Sequence, residues 1–351
     1  MDKLKEFARI FELPPAMVPH IDHVVDRQEL DLIVALDRSK LTLQEVSELI
    51  ALPPEEAESF LTRCYHRNIV RRKKDDEGFV RYSAATFYER LNPMSMYEKW
   101  GEVPAEAREA VLEWEMQTFI EEHKEAIRQI EEDRDAAVKI PNRDVLLLEE
   151  ALDQVEKATD HVILPCDCKT IVMACDFPVE VCVRLDEGAR MTLEHGHGRR
   201  ITKEEMKRLV MDAHRAGLMQ TGQLGTDDRG NVFGFCNCCA CCCYPIAAGD
   251  RLGLHRAWPR AHHVAERDRD KCRHCGLCHT RCHFDAFYHD GSTIQIDGAA
   301  KRAIAFNSTR CIGCGLCAST CPEGAITMRA LTPEEDALIE IQRKQAVTGH
   351  N

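Results

Sequence analysis

Cys272-Arg273-His274-Cys275-Gly276-Leu277-Cys278-His279-Thr280-Arg281-Cys282 and Cys311-Ile312-Gly313-Cys314-Gly315-Leu316-Cys317-Ala318-Ser319-Thr320-Cys321 are one cysteine pattern written twice. Both read C-x-x-C-x-x-C-x-x-x-C. Thiolates two residues apart on a short wrapping loop reach three neighbouring corners of an iron–sulfur cube, and the fourth corner needs a more distant donor. Zinc is the competing occupant, since it takes four thiolates in a tetrahedron. Zinc ribbons, however, use two C-x-x-C pairs across a long loop, and three successive cysteines leave a surplus thiolate in each run. Disulfides fit less well. The 19 cysteines are odd in number, and Met1-Asp2-Lys3-Leu4-Lys5-Glu6 has nothing of a secretion signal's apolar core.

The double pattern resembles that of the bacterial-type dicluster ferredoxins, over about residues 265 to 330. In that family the fourth cysteine of each run ligates the other cluster. The resemblance therefore implies two 4Fe-4S clusters, one on Cys272, Cys275, Cys278 and Cys321, the other on Cys311, Cys314, Cys317 and Cys282. Pro322 completes the family's ending of the second run. His283 replaces it in the first, where proline shapes the exit turn and is not a ligand. The stretch between the runs is longer than in minimal ferredoxins. Phe287 to Phe306, with Asp290-Gly291 between Tyr288 and the alternating Ile294 and Ile296, reads as an inserted hairpin turning at Asp290-Gly291.

At 351 residues the chain can hold two or three domains. No apolar run approaches the ~18 to 20 residues that span a bilayer. A soluble, cytoplasmic protein with no membrane span is expected, and exposed clusters would suit an anaerobic or microaerobic host. The net charge of −13 is unevenly spread: residues 101–160 carry 7 Lys/Arg against 18 Asp/Glu, residues 251–330 carry 12 against 7. An anionic cubane near Arg251, Arg256, Arg260, Lys271, Arg273, Arg281, Lys301, Arg302 and Arg310 would be favoured in its reduced form, although an ordinary solvated surface has the same composition. The acidic middle argues against a general grip on nucleic acid.

The fold class expected is α+β. A mainly helical N-terminal part includes a winged-helix-like domain at 1–91, and an acidic helical connector follows at 92–160. A Cys-rich domain is expected at 161–250, a ferredoxin-like dicluster domain at 251–330, and a C-terminal helix or tail at 331–351, opened by a Thr332–Glu335 capping box. In the first of these, Leu30, Ile33, Val34 and Leu36 mark a helix, Thr42 with Glu45 caps a second, and Pro53-Pro54 opens a third from Glu55 to about Arg67. Strands at Ile69–Arg72 and Phe79–Tyr82 then flank a turn at Asp75–Gly78. That order resembles a winged helix. Its third helix begins with Glu55, Glu56 and Glu58, which would repel phosphates, so docking is favoured over DNA binding. Charge-rich helix is expected from Pro104 to about Arg134, and a more apolar helix from Val145 to about Lys157.

Ten further cysteines lie in residues 161–250. Cys166, Cys168, Cys175 and Cys182 precede a helix capped by Thr202, Glu205 and Gly217, and the run Cys236-Asn237-Cys238-Cys239-Ala240-Cys241-Cys242-Cys243 follows it. Neighbouring side chains diverge, so this run cannot place every sulfur on one metal. The field resembles segments upstream of ferredoxin domains in multi-cluster iron–sulfur proteins of anaerobic bacteria. That likeness implies a third 4Fe-4S cluster, or zinc, with Cys166, Cys168, Cys175, Cys182, Cys236, Cys238, Cys239 and Cys242 as candidate ligands. His195 and His197 read as solvated loop residues. No phosphate loop, dinucleotide fingerprint or hydrolase constellation is present.

The expected function is single-electron transfer at low potential to or from a redox partner protein or oxidoreductase complex, without a catalytic residue. Two other readings remain open at this level, a redox-responsive winged-helix regulator and a reductase with an open-site cluster in the middle domain.

Overall fold

The computed structural model describes residues 3–222, 232–335, 337–338 and 341. Helix and strand are mixed. The chain divides into two compact units, Met1–Glu121 with Thr170–Val172 and His195–His197, and Glu122–Lys169 with Met173–Glu194 and Gly198–Asn351. Among the described residues no helix is long and apolar enough to cross a membrane.

In the first unit, α1 (Lys3–Ile10), α2 (Ile21–Val24), α3 (Arg27–Leu36), α4 (Leu43–Ile50) and α5 (Pro54–His66) precede strands β1 (Val70–Lys74) and β2 (Val80–Ala84). Helices α6 (Phe87–Tyr97) and α7 (Ala105–Glu122) follow. Capping boxes start α3, through Asp26 and Glu29, and α4, through Thr42 and Glu45. Pro54 occupies the first position of α5, where its missing N–H costs nothing. The hairpin pairs Val70 with Ala84 through to Lys74 with Val80. Phe7, Phe11, Leu32, Ile33, Leu36, Val46, Leu61 and Phe87 form a fully buried core, and Cys64 packs there as a small apolar side chain.

A charge network crosses this core. Glu29, fully buried, accepts the Asp26 N–H with one oxygen and Arg67 with the other. Arg67 reaches Glu98 at 3.0 and 3.1 Å, and the fully buried Arg90 donates to the Val24 carbonyl at 2.9 Å and to Glu98. Burial alone would raise the Glu98 pKa, but its hydrogen bonds to Arg67 and Arg90 pull it below the ordinary carboxylate value.

His195 and His197 depart from the solvated-loop expectation. His195 Nε2 lies 2.5 Å from Asn68 Oδ1 with its ring 4.1 Å from Tyr65, and His197 Nε2 donates to the His66 carbonyl at 2.6 Å. Gly196 and Gly198 are both at positive φ in this turn, and both rings are half-buried. Sequence gives no sign of this, because the partners lie more than a hundred residues away.

The second unit opens with α8 (Lys124–Glu132), separated from α7 by the non-helical His123, followed by β3 (Asp144–Leu146) and α9 (Leu148–Lys157). The helix expected from Val145 thus begins at Leu148. Val145-Leu146-Leu147-Leu148 is apolar without period, and the β-branched Val145 is fully buried where β3 pairs with a later strand. Next come β4 (His161–Pro165), α10 (Asp167–Val172), β5 (Glu180–Leu185), α11 (Asp186–Glu194), β6 (Arg199–Arg200), α12 (Lys203–Ala216), β7 (Met219–Gly222) and β8 (Gly234–Cys238). The strands form one antiparallel sheet in the order β3-β7-β8-β5-β4-β6. Val155 of α9 and Met206 and Val210 of α12 pack against Ile163, Val183 and Phe235 of the sheet.

After α13 (Tyr244–Arg251), β9 (His263–Arg267) and β12 (Ile326–Ala330) close the C-terminal part as an antiparallel ladder. Between them lie α14 (Leu277–Arg281), the hairpin β10 (Phe287–Ile296) and β11 (Ala299–Phe306), and α15 (Leu316–Thr320). The hairpin turns at Asp297-Gly298, both at positive φ, and not at Asp290-Gly291, where the ladder carries an irregularity between His289 and Thr293. Both dipeptides can turn a chain; only the later one leaves Phe287 opposite Phe306, with rings 4.6 Å apart at the root. Thr332 and Glu335 form their capping box, while most of the helix expected after them lies outside the described residues.

Two expectations follow for stability. Glu98→Ala leaves the buried Arg90 guanidinium without its carboxylate and should cost about 3–5 kcal/mol, read in denaturant unfolding through the buried Trp100. His195 is held neutral, its pKa lowered to about 4 first by burial and then by His197. An unfolded histidine titrates near ~6.5 and so takes up its proton first as pH falls. The contribution of the neutral ring is intact above about pH 6.5 and drains away towards about pH 4. The unfolding midpoint should decline across that window, and His195→Asn should flatten the decline.

Candidate metal centres

Each C-terminal cysteine run folds the same way. Gly276 and Gly315, in left-handed conformation, start the short helices α14 and α15, and Cys282 and Cys321 end them. The Ala286 N–H donates to Cys282 Sγ at 3.3 Å and the Ala325 N–H to Cys321 Sγ at 3.3 Å. Between the first and second cysteines, His274 (φ 49°) and Gly313 (φ 77°) occupy equivalent left-handed positions. His274 uses its Nδ1 to accept the Ile304 N–H at 2.9 Å. His283, standing where the family has proline, lies with Nε2 2.7 Å from the Gly217 carbonyl at the end of α12.

Two cavities lie beside these loops. One is lined by Cys311, Cys314 and Cys317 together with Cys282 of the other run. The second is lined by Cys272, Cys275 and Cys278 together with Cys321. Their remaining walls are largely apolar, including Phe287, Leu316 and Met328 in the first and Ile304 and Ile326 in the second. Burial, then the neighbouring thiols Cys311 and Cys282, pushes Cys314 up to about 12, and burial with Cys272 pushes Cys278 up to about 11. Sulfurs gathered this closely in apolar surroundings cannot all ionise unless a cationic centre compensates them. Four soft donors, backbone N–H groups aimed at sulfur and dry walls suit an iron–sulfur cluster in each cavity.

Residues 265–328 match the 4Fe-4S dicluster domain. The matched stretch covers both runs, both cavities and part of the closing ladder. A 96-residue stretch is 32% identical to the archaeal-type glutamate synthase [NADPH] of Dehalococcoides mccartyi, covering 24% of this chain and 17% of that protein. A 72-residue stretch is 40% identical to the pyruvate synthase subunit PorD of Thermotoga maritima, covering 20% of this chain and 61% of that one. The chain therefore spans less than two thirds of either relative. No solved structure matches it.

The middle cysteines separate into two neighbourhoods. Cys175, in the loop after α10, meets Cys239, Cys241 and Cys242, in the loop after β8, with all four sulfurs within 4.8 Å of one another. The others are more enclosed. Asn142 Nδ2 donates to Cys238 Sγ at 3.2 Å and Cys243 Sγ at 3.5 Å, and Thr221 Oγ1 lies 3.2 Å from Cys238. Cys166 and Cys168 flank Asp167 within 4.8 Å, and Arg184 Nη1 reaches Cys182 Sγ at 3.0 Å. Cys236 and Cys238 share one face of β8, as period-two alternation dictates, with Asn237 on the other. The buried Lys169 donates to the Asn237 carbonyl at 2.8 Å; burial would lower its pKa, but Cys166, Cys238, Cys239 and Cys168 raise it, so the ammonium stays charged among the sulfurs. Cys241 and Cys243 were absent from the sequence-based set, and Asn142, Thr221, Lys169 and Arg184 gave no signal, lying on segments brought together only by the sheet.

Two glycines of the runs at different positions, Gly276 and Gly313, give a local test. A Cβ at Gly313 would sit 2.2 Å from the His263 carbonyl oxygen, whereas one at Gly276 meets nothing within 4 Å. Gly276→Ala should cost only the left-handed strain of about 1–2 kcal/mol. Gly313→Ala should lose several times that, because the β9 backbone would have to shift, and the comparison can be read in denaturant unfolding.

Proposed function

We propose that this protein carries single electrons between redox enzymes, with two 4Fe-4S clusters held across the two C-terminal runs. Cys272, Cys275, Cys278 and Cys321 hold one, and Cys311, Cys314, Cys317 and Cys282 hold the other. The observation that carries the reading is the lining of the two cavities, each by three sulfurs of one run and the last sulfur of the other. A 4Fe-4S cluster supplies a reversible one-electron couple. The chain's own residues fix the sulfurs, exclude water and offer N–H groups from Ala286 and Ala325 to sulfur. Cys166, Cys168, Cys238 and Cys243, beside Lys169 and Asn142, are the proposed donors of a further centre, a third cluster or zinc, with Cys182 and Cys236 next to them.

The relatives' names support the choice of partner class, since one is a pyruvate synthase subunit and the other a glutamate synthase. We read the helices and hairpin of the first unit as a winged-helix-like docking module. Its helix α5 opens with Glu55 and Glu56. Of the hairpin's cations, Arg71 pairs with Glu89 at 2.6 Å and Arg81 with Asp75 at 2.8 Å, Arg72 covers the Tyr65 ring at 4.3 Å, and Lys73 and Lys74 are exposed. Such a surface recognises protein more readily than phosphate.

Serine substitution tests the ligand sets through the paramagnetic spectrum of the reduced, anaerobically purified protein. Cys282→Ser and Cys314→Ser should disturb one cluster signal, Cys321→Ser and Cys275→Ser the other. Unmodified protein should carry about eight irons and eight sulfides from the C-terminal runs, about twelve of each with a third cluster. It should also reoxidise without any substrate being turned over. A colourless protein with zinc in place of iron would sink the reading.

A further inference from the structure

Sulfur spacing distinguishes the kinds of centre. In the outer group of the middle field, Cys175 Sγ lies 3.8 Å from Cys239 Sγ and 3.6 Å from Cys242 Sγ, and Cys242 Sγ lies 3.8 Å from Cys241 Sγ. A tetrahedron of sulfurs around one ion with metal–sulfur bonds of ~2.3 Å has an edge of about 3.8 Å. A four-iron cube instead binds each cysteine to a different iron and keeps the four sulfurs roughly 6 Å apart. The outer group has the first spacing. Among the described residues, the eight cysteines of the C-terminal runs form no group of three within 4.8 Å and line cavities instead.

We infer that Cys175, Cys239, Cys241 and Cys242 hold one tetrahedral thiophilic divalent ion, zinc or ferrous iron, and not a cluster. Among the described residues no carboxylate or imidazole joins the four sulfurs, which selects a soft-ligand ion over calcium or magnesium. Cys175 is contributed by the loop before β5 and the other three by the loop after β8, starting 64 residues later, so the ion fastens together the two loops at one end of the paired strands β5 and β8. Cys241 is exposed and Cys239 and Cys242 are buried, placing the ion just beneath the surface. Binding releases the thiol protons to solvent and involves no change of oxidation state. The outer centre is thus a single-ion site, which filled with zinc contributes rigidity and no electron capacity.

The test is metal and acid-labile sulfide content of the anaerobically purified full chain. Cluster iron equals sulfide. The inference expects one further metal atom per chain, either a zinc or an iron in excess of sulfide, which separates the two fillings. A double variant, Cys175→Ala with Cys241→Ala, should lose that atom with sulfide unchanged. Loss of about four irons with four sulfides would overturn the inference in favour of a cube, as would unmodified protein whose iron equals its sulfide and which lacks zinc. Should the variant fail to fold, X-ray absorption at the zinc edge of unmodified, zinc-containing protein decides. Four sulfurs at about 2.3 Å without an iron neighbour sustain the assignment, and nitrogen, oxygen or iron in that shell defeats it. For the iron-filled form, a mononuclear high-spin ferrous component in the Mössbauer spectrum serves the same purpose, and its absence defeats the assignment. The C-terminal clusters are counted in the same samples, so failure of the electron-carrier reading is seen separately.

Discussion

Gathering thiols is electrostatically self-defeating, and the second unit is organised around that difficulty. Each sulfur that ionises in a low-dielectric setting raises the cost of ionising the next. Compensation comes from fixed groups: amides at Ala286 and Ala325, the Asn142 carboxamide, and the cations of Lys169 and Arg184. These belong to segments far apart in the chain, so the antiparallel sheet and the closing ladder serve to hold charge compensation in register with sulfur. Remove the fold and the cysteines are merely repelling anions or protonated thiols.

The first unit solves the opposite problem. Its buried charges are few, mixed in sign and tied into one network through Glu29, Arg67, Glu98 and Arg90, with both ends of the network fully buried. A buried network of this sort adds little net stability but penalises alternative packings, since any shift strands a charge. Rigidity of that kind suits a surface that must present one shape to a partner.

Local chemistry was legible in the sequence wherever the decisive contacts lie within a few residues. The caps at Thr42 and Thr202, the proline at the start of α5 and the left-handed Gly217 all depend on neighbours in the chain. The cysteine repeat was readable for the same reason, because the spacing within each run is itself the ligand geometry. Misreadings occurred where two local solutions were equally good. Val145 joined a strand because β7 offered pairing, and Asp297-Gly298 displaced Asp290-Gly291 as the turn because only it aligns the aromatic root. In the middle field, chain distance hid the partition altogether. Cys175 and Cys241 look unrelated in sequence and become neighbours only after β5 and β8 pair.

The imidazole of His274 sits in a backbone conformation that its counterpart in the second repeat meets with glycine. That choice makes sense only beside the inserted hairpin, whose Ile304 amide would otherwise face the loop without an acceptor. Arm and histidine therefore depend on one another: trimming the arm would leave a left-handed side chain with no amide to hold.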